Sequence, residues 1–140
     1  MSRIFWDTNL FIYLIEGKGA AAKNVIRLAE RMEQRGDQLF TSALTLGELL
    51  VHPVKLGDEA LAQRYENLLS TRAIVIRFDE ATARHYARVR QDRTIKGADA
   101  FQLACAAATE TDLFVTNDSR LSGKVVPGIQ FVVPLSNALI

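Results

Sequence analysis

Five short apolar, β-forming runs recur along this chain, and all but the last pair are separated by stretches with helical periodicity. The runs are Ile4–Trp6, Leu39–Ala43, Ile74–Ile76, Leu113–Thr116 and Ile129–Val133. Strands that alternate with helices are joined by crossovers, which make a parallel sheet covered on both faces. The expected fold is therefore α/β: an α/β/α sandwich around a central parallel sheet of about five strands. At 140 residues the chain fits one domain, 1–140, large enough to bury a core without disulfides.

The intervening segments read as helices with recognisable ends. Asn9 is the expected cap of a helix running to about Glu16, with Leu10, Phe11, Leu14 and Ile15 as its apolar positions. Gly17 and Gly19 mark a turn. Val25, Ile26, Leu28, Ala29 and Met32 then repeat at helical spacing up to Gly36-Asp37. Thr45 is the expected cap of the next helix, with Glu48 three residues on as in a capping box, and Pro53 its expected end. Further helices are predicted from about Asp58 to Ser70, after Asp79, and from Gly97 to Glu110.

Composition narrows the function classes. Apolar residues make up 49% and charged residues 24%, a globular profile. No apolar stretch reaches the roughly 20 residues of a membrane span and no signal peptide precedes the first strand, so a cytoplasmic protein without membrane contact is expected. Cys105 is the sole cysteine, which leaves no thiolate metal site, and its Ala-rich surroundings predict a buried structural thiol. His52 and His85 lack the spacing of a zinc pair. Net charge is +1 and carries no message about nucleic acid. Arginine, however, supplies 12 of the 17 basic residues. Arg90, Arg93 and Lys96 stand just before Asp99, where a guanidinium fork suits phosphate oxygens.

Four acids occupy the positions where strands hand over to helices or loops. Asp7 follows the first strand, Glu48 lies a turn beyond the second, Asp99 opens the Ala-rich helix and Asp118 follows the fourth strand. In a parallel sheet the C-terminal strand ends share one edge, and ligands bind where strand order reverses. Each acid alone is explained as a cap or turn residue. Four carboxylates gathered at one edge repel unless a cation joins them. Oxygen ligands point to Mg²⁺ or Mn²⁺ and to phosphoryl chemistry. Without the ion, mutual repulsion is expected to raise carboxylate pKa values, and Asp118→Asn to raise the melting temperature.

Phe5-Trp6-Asp7-Thr8-Asn9, Thr45-Leu46-Gly47-Glu48, Lys96-Gly97-Ala98-Asp99-Ala100 and Val115-Thr116-Asn117-Asp118 together resemble the ordered motifs of PIN domains. These are small metal-dependent ribonucleases, many of them toxins of VapBC-type toxin–antitoxin pairs. The resemblance runs from Ile4 to about Val133. It implies catalytic, metal-holding carboxylates at Asp7, Glu48, Asp99 and Asp118, a supporting hydroxyl at Thr116, and a polar supporting residue at Asn9, with Thr8 beside it. It also implies RNA as substrate, cleaved by metal-activated water to leave 5′-phosphate and 3′-hydroxyl ends, a cognate antitoxin as partner, and a homodimer. Leu121 stands where family members often carry an aromatic residue.

Other classes fit less well. A receiver-type signalling domain calls for paired acids after the first strand and a lysine after the last, and a haloacid-dehalogenase-like phosphatase calls for Asp where Asn9 stands. A non-catalytic RNA-binding module calls for a basic stripe. Within the family, a solitary RNA-processing nuclease is the alternative to a toxin. Helices spanning Leu10–Met32 and Leu46–Leu69 carry apolar residues beyond the evident needs of one core, as a dimerising or antitoxin-binding protein does.

Overall fold

A computed structural model of the protein describes residues 1–138. Its strands are β1 (Arg3–Trp6), β2 (Gln38–Ser42), β3 (Ile74–Ile76), β4 (Thr111–Thr116) and β5 (Ile129–Pro134). Its helices are α1 (Thr8–Glu16), α2 (Gly19–Arg35), α3 (Ala43–Leu56), α4 (Glu59–Arg72), α5 (Glu80–Val89) and α6 (Gly97–Ala108). All four strand pairings are parallel, in the order β3-β2-β1-β4-β5. The expected α/β/α sandwich is the observed fold.

That order contains one reversal. The chain lays β2 and then β3 outward from β1, and afterwards returns to place β4 on the other side of β1. A crossover of constant hand must then land on the opposite face of the sheet. Residues of α1 to α4 accordingly pack with Ile4, Trp6 and Val115, whereas α5 and α6 pack with Phe5, Phe40 and Phe114. Side chains alternate along β1 between the two cores, which is why the strand reads as a continuous apolar run rather than an alternating one. Phe5 pairs with Phe114 in register, and their rings stack at 5.1 Å between centroids.

Two helix starts differ from the sequence expectation. The cap of α1 is Asp7, whose carboxylate accepts from the Thr8 N–H at 2.9 Å, so Asn9 is already inside the helix. The cap of α3 is Ser42, three positions before Thr45. Thr45 is fully buried and its hydroxyl faces the core. An inward-facing network claims that hydroxyl, and sequence alone shows neither burial nor network. The same helix continues past Pro53 to Leu56 and ends at Gly57, so the proline removes the bond its N–H would have made to the preceding turn without ending the helix.

Small residues on α6 let it lie close to the sheet, with Ala100, Ala104, Cys105 and Ala106 wholly buried. Burial pushes the Cys105 thiol up to about 12, which fixes it as an inert core group. Gly128 closes the β4–β5 connection against this helix. Its φ is +96°, and a Cβ there would meet the Ala107 carbonyl oxygen at 2.8 Å, so only glycine fits.

Candidate active site

The reversal lies between β1 and β4, and the polar residues of interest gather at their C-terminal ends. Asp7 immediately follows β1, and its N–H donates to the Val115 carbonyl oxygen of β4 at 3.0 Å. Thr116 is the last residue of β4 and Asp118 lies two residues beyond it. Glu48 arrives on the second turn of α3 and Asp99 in the first turn of α6. Asp7, Thr8, Asn9, Glu48, Asp99, Gln102 and Asp118 line one open cleft of about 310 Å³. All four acids singled out from sequence thus share a single cleft, with Asn9 on its wall.

Each carboxylate is held differently. Asp7 is buried and accepts from the Thr116 hydroxyl at 2.8 Å as well as from the Thr8 N–H. Burial nonetheless raises its pKa; those two hydrogen bonds oppose the rise, and the charges of Asp99 and Glu48 add to it. The Glu48 carboxylate accepts from the Thr8 hydroxyl at 2.7 Å, which ties α3 to α1. Its role is therefore not the expected capping-box one. Asp99 is raised by burial and by the neighbouring charge of Asp118, against the pull of Arg120 and Lys96. Asp118 goes the other way. The Arg120 guanidinium grips it, Nε lying 3.0 and 3.2 Å from its two oxygens, and holds its carboxyl below the usual range. Against the expectation of mutual repulsion, Asp118 is held as an anion by Arg120, although its charge still raises Asp99; the carboxyls pushed up are Asp7 and Asp99.

Behind the cleft floor lies a buried network in which Gln102 is central, a residue the sequence reading did not single out. Its amide nitrogen donates to Thr45 at 2.7 Å and to Thr8 at 3.2 Å, while its amide oxygen accepts from the Ser42 hydroxyl. Thr41 extends the chain, donating to the Trp6 carbonyl oxygen at 3.0 Å. The signal available in sequence was a lone glutamine within an otherwise apolar and alanine-rich helix, one turn after Asp99. Thr116 performs a double role, donating to Asp7 and accepting from the Asp118 N–H at 3.0 Å.

The donors are all oxygens, as a hard cation requires. Among the described residues no three carboxylate, histidine or cysteine side chains form a ready coordination cage. Arg90, Arg93 and Lys96 are exposed on the segment between α5 and α6. The Asp92–Lys124 ion pair, at 3.1 Å, anchors this segment to the β4–β5 connection. Arg90 itself lies against the Tyr86 ring, 6.0 Å from its centroid.

The comparison with known families agrees with this geometry: the model of the PIN domain matches residues 4–125. The chain belongs to the PIN-domain family. No curated protein matches it by sequence. Among solved structures, this PIN domain is similar to a DNA-bound VapBC from Salmonella typhimurium, at 24% identity and a TM-score of 0.74 over 96% of this chain and 99% of that one. It also resembles VapBC from Rickettsia felis bound to promoter DNA, at 20% identity and a TM-score of 0.71 over 94% and 98%. A toxin–antitoxin complex from Klebsiella pneumoniae matches at 25% identity and a TM-score of 0.64 over 90% and 94%.

Proposed function

We propose that this PIN domain is a divalent-metal-dependent endoribonuclease and the toxin of a toxin–antitoxin pair. The observation that carries the reading is the meeting of Asp7, Glu48, Asp99 and Asp118 in one cleft at the switch point of a parallel sheet. These carboxylates are the groups to hold Mg²⁺ or Mn²⁺, with Asn9 and Thr116 as their supports. A cation bound there supplies Lewis acidity toward a phosphoryl oxygen and makes hydroxide available near neutral pH. The protein's own share is positioning. Thr116 orients Asp7, Thr8 orients Glu48, and Gln102 braces Thr8 and Thr45 from behind. RNA phosphates are the expected contacts of Arg90, Arg93 and Lys96, exposed on the segment before Asp99, and no side chain acts as nucleophile.

The toxin assignment draws support from the neighbours, which are themselves VapBC or toxin–antitoxin complexes. The molecule also presents surfaces suited to partners. Trp6, Phe11, Leu14, Met32, Leu39 and Leu68 line a groove of about 220 Å³, the kind of surface an amphipathic antitoxin segment fills. Val51, Val54 and Leu56 on α3 are exposed and suit a second copy in a homodimer. No helix among the described residues is long and apolar enough to cross a membrane.

Single-turnover cleavage of RNA by the purified protein tests the reading. Chelation is expected to abolish cleavage and Mg²⁺ or Mn²⁺ to restore it, with 5′-phosphate ends on the products. Cleavage that persists in excess chelator overturns it.

A further inference from the structure

The two sides of the cleft are neutralised unequally. Among the described residues, Asp7 and Glu48 accept from uncharged donors, the hydroxyls of Thr116 and Thr8 and one backbone N–H. Asp118 and Asp99, in contrast, share a cation supplied by the chain itself. Arg120 binds Asp118 through Nε and Nη2, and the same Nη2 lies 3.9 Å from Asp99 Oδ2. Its own N–H also donates to Asp118 Oδ1 at 3.0 Å, which tethers the backbone while the side chain remains 62% exposed. We propose that Arg120 is an internal counter-cation that occupies the Asp118–Asp99 pair in place of the divalent ion and gives up that pair when the ion binds.

The proposal rests on reading the cleft as a divalent-cation site and specifies what that site must displace. Arginine cannot lose its proton, so its charge leaves the pair only by moving. A guanidinium and a divalent ion that draw on the same carboxylate oxygens repel one another and compete for the same lone pairs. Exposure makes the exchange inexpensive, because a solvated ion pair is worth little and the freed guanidinium returns to water. Tethered two residues from Asp118, it remains at the rim, placed to meet the phosphate of an arriving substrate. The ion thus recruits a phosphate-binding group by releasing it from a carboxylate.

Calorimetric titration of the RNA-free protein with Mn²⁺ tests this, using wild type, Arg120→Ala and Arg120→Lys. Removing the competitor is expected to tighten Mn²⁺ binding about two- to fivefold in Arg120→Ala, the scale of an exposed ion pair. Arg120→Lys is expected to fall between the two, since a point charge binds the pair without the fork. Metal-free Arg120→Ala is also expected to melt below wild type and to gain more from Mn²⁺. Unchanged or weaker Mn²⁺ binding in Arg120→Ala overturns the proposal while leaving the cation site standing, and shows that the guanidinium only orients Asp118. Absence of Mn²⁺ binding in all three proteins overturns the cation site and this inference together.

Discussion

Thr116 donates its hydroxyl to Asp7 Oδ2 at 2.8 Å across the β1–β4 junction, joining residues 109 positions apart in the sequence. The Thr116 hydroxyl oxygen in turn accepts the Asp118 N–H at 3.0 Å. One side chain therefore sets both the rotamer of a buried carboxylate and the turn that delivers a second. Thr116→Val keeps the shape and removes both bonds. Activity and Mn²⁺ affinity are expected to fall about 10- to 100-fold, the usual cost of losing a group that orients a metal ligand. Thr116→Ser, which restores the hydroxyl, is expected to recover most of both. Cleavage kinetics and a Mn²⁺ titration of the two variants check this, and a fully active Thr116→Val contradicts it.

Asp7 and Asp118 are expected to respond to neutralisation with opposite sign. Burial raises the folded pKa of Asp7 above its unfolded value, so its ionisation costs stability above the folded pKa, and that cost vanishes below the unfolded one. Asn keeps the cap of α1, and the Thr116 hydroxyl can accept from its amide. Metal-free Asp7→Asn is therefore expected to melt above wild type at pH 7 and to lose part of the wild-type gain on acidification. Asp118 has a depressed folded pKa, so its charge contributes stability above the unfolded value that is lost as pH falls through the folded one. Metal-free Asp118→Asn is expected to melt slightly below wild type at pH 7, by a small margin because the Arg120 pair is solvated. Melting curves of both variants at pH 7 and on acidification decide the signs, the Asp7 effect falling above the ordinary carboxylate value and the Asp118 effect below it.

Gln102 is the residue on which the cleft floor depends. Gln102→Leu leaves buried hydroxyls of Ser42, Thr45 and Thr8 short of partners. The expected loss is about 1–3 kcal/mol of folding stability, the cost of unsatisfied buried polar groups. Activity is expected to fall as well, since Thr8 also holds Glu48. Denaturant unfolding measures the first effect and cleavage under native conditions the second. A variant as stable as wild type contradicts the account of the network.

What sequence conveyed and what it hid have physical causes. All five strands were legible, because a doubly covered parallel strand must be apolar on both sides, as Ile4, Phe5 and Trp6 are. The four acids were legible because each sits beside a strand end or helix start whose position the apolar pattern fixes. Helix caps were harder: Asp7, Asn9, Ser42 and Thr45 are all competent caps, and only the packing decides which of them faces the backbone. The buried hydroxyl–amide network was hidden because Thr8, Thr41, Ser42, Thr45 and Gln102 come from separate segments and carry no local signal. Arg120's grip on Asp118 was missed for a different reason. A two-residue spacing in a loop gives no periodicity to read, and that one contact holds Asp118 as an anion.

The exposed apolar residues of α3 make a prediction about assembly. Val51, Val54 and Leu56 are 67%, 70% and 62% exposed. A Val51→Glu, Val54→Glu double variant touches no core contact and places two like charges on that face. Light scattering at micromolar concentration is expected to show a dimer for wild type and a monomer for the variant. Monomeric wild type, or an undisturbed dimer in the variant, assigns this face no part in self-association.

The most direct measurement follows Mn²⁺ binding and RNA cleavage in parallel for wild type and Asp99→Asn, each stripped of metal and then titrated. Cleavage by wild type is expected to rise along the same curve as Mn²⁺ occupancy, from a baseline of zero. Asp99→Asn is expected to bind Mn²⁺ more weakly and to remain inactive at concentrations that saturate wild type. Cleavage by wild type before any Mn²⁺ is bound, or equal occupancy and equal cleavage in Asp99→Asn, contradicts a carboxylate-held cation as the agent of hydrolysis.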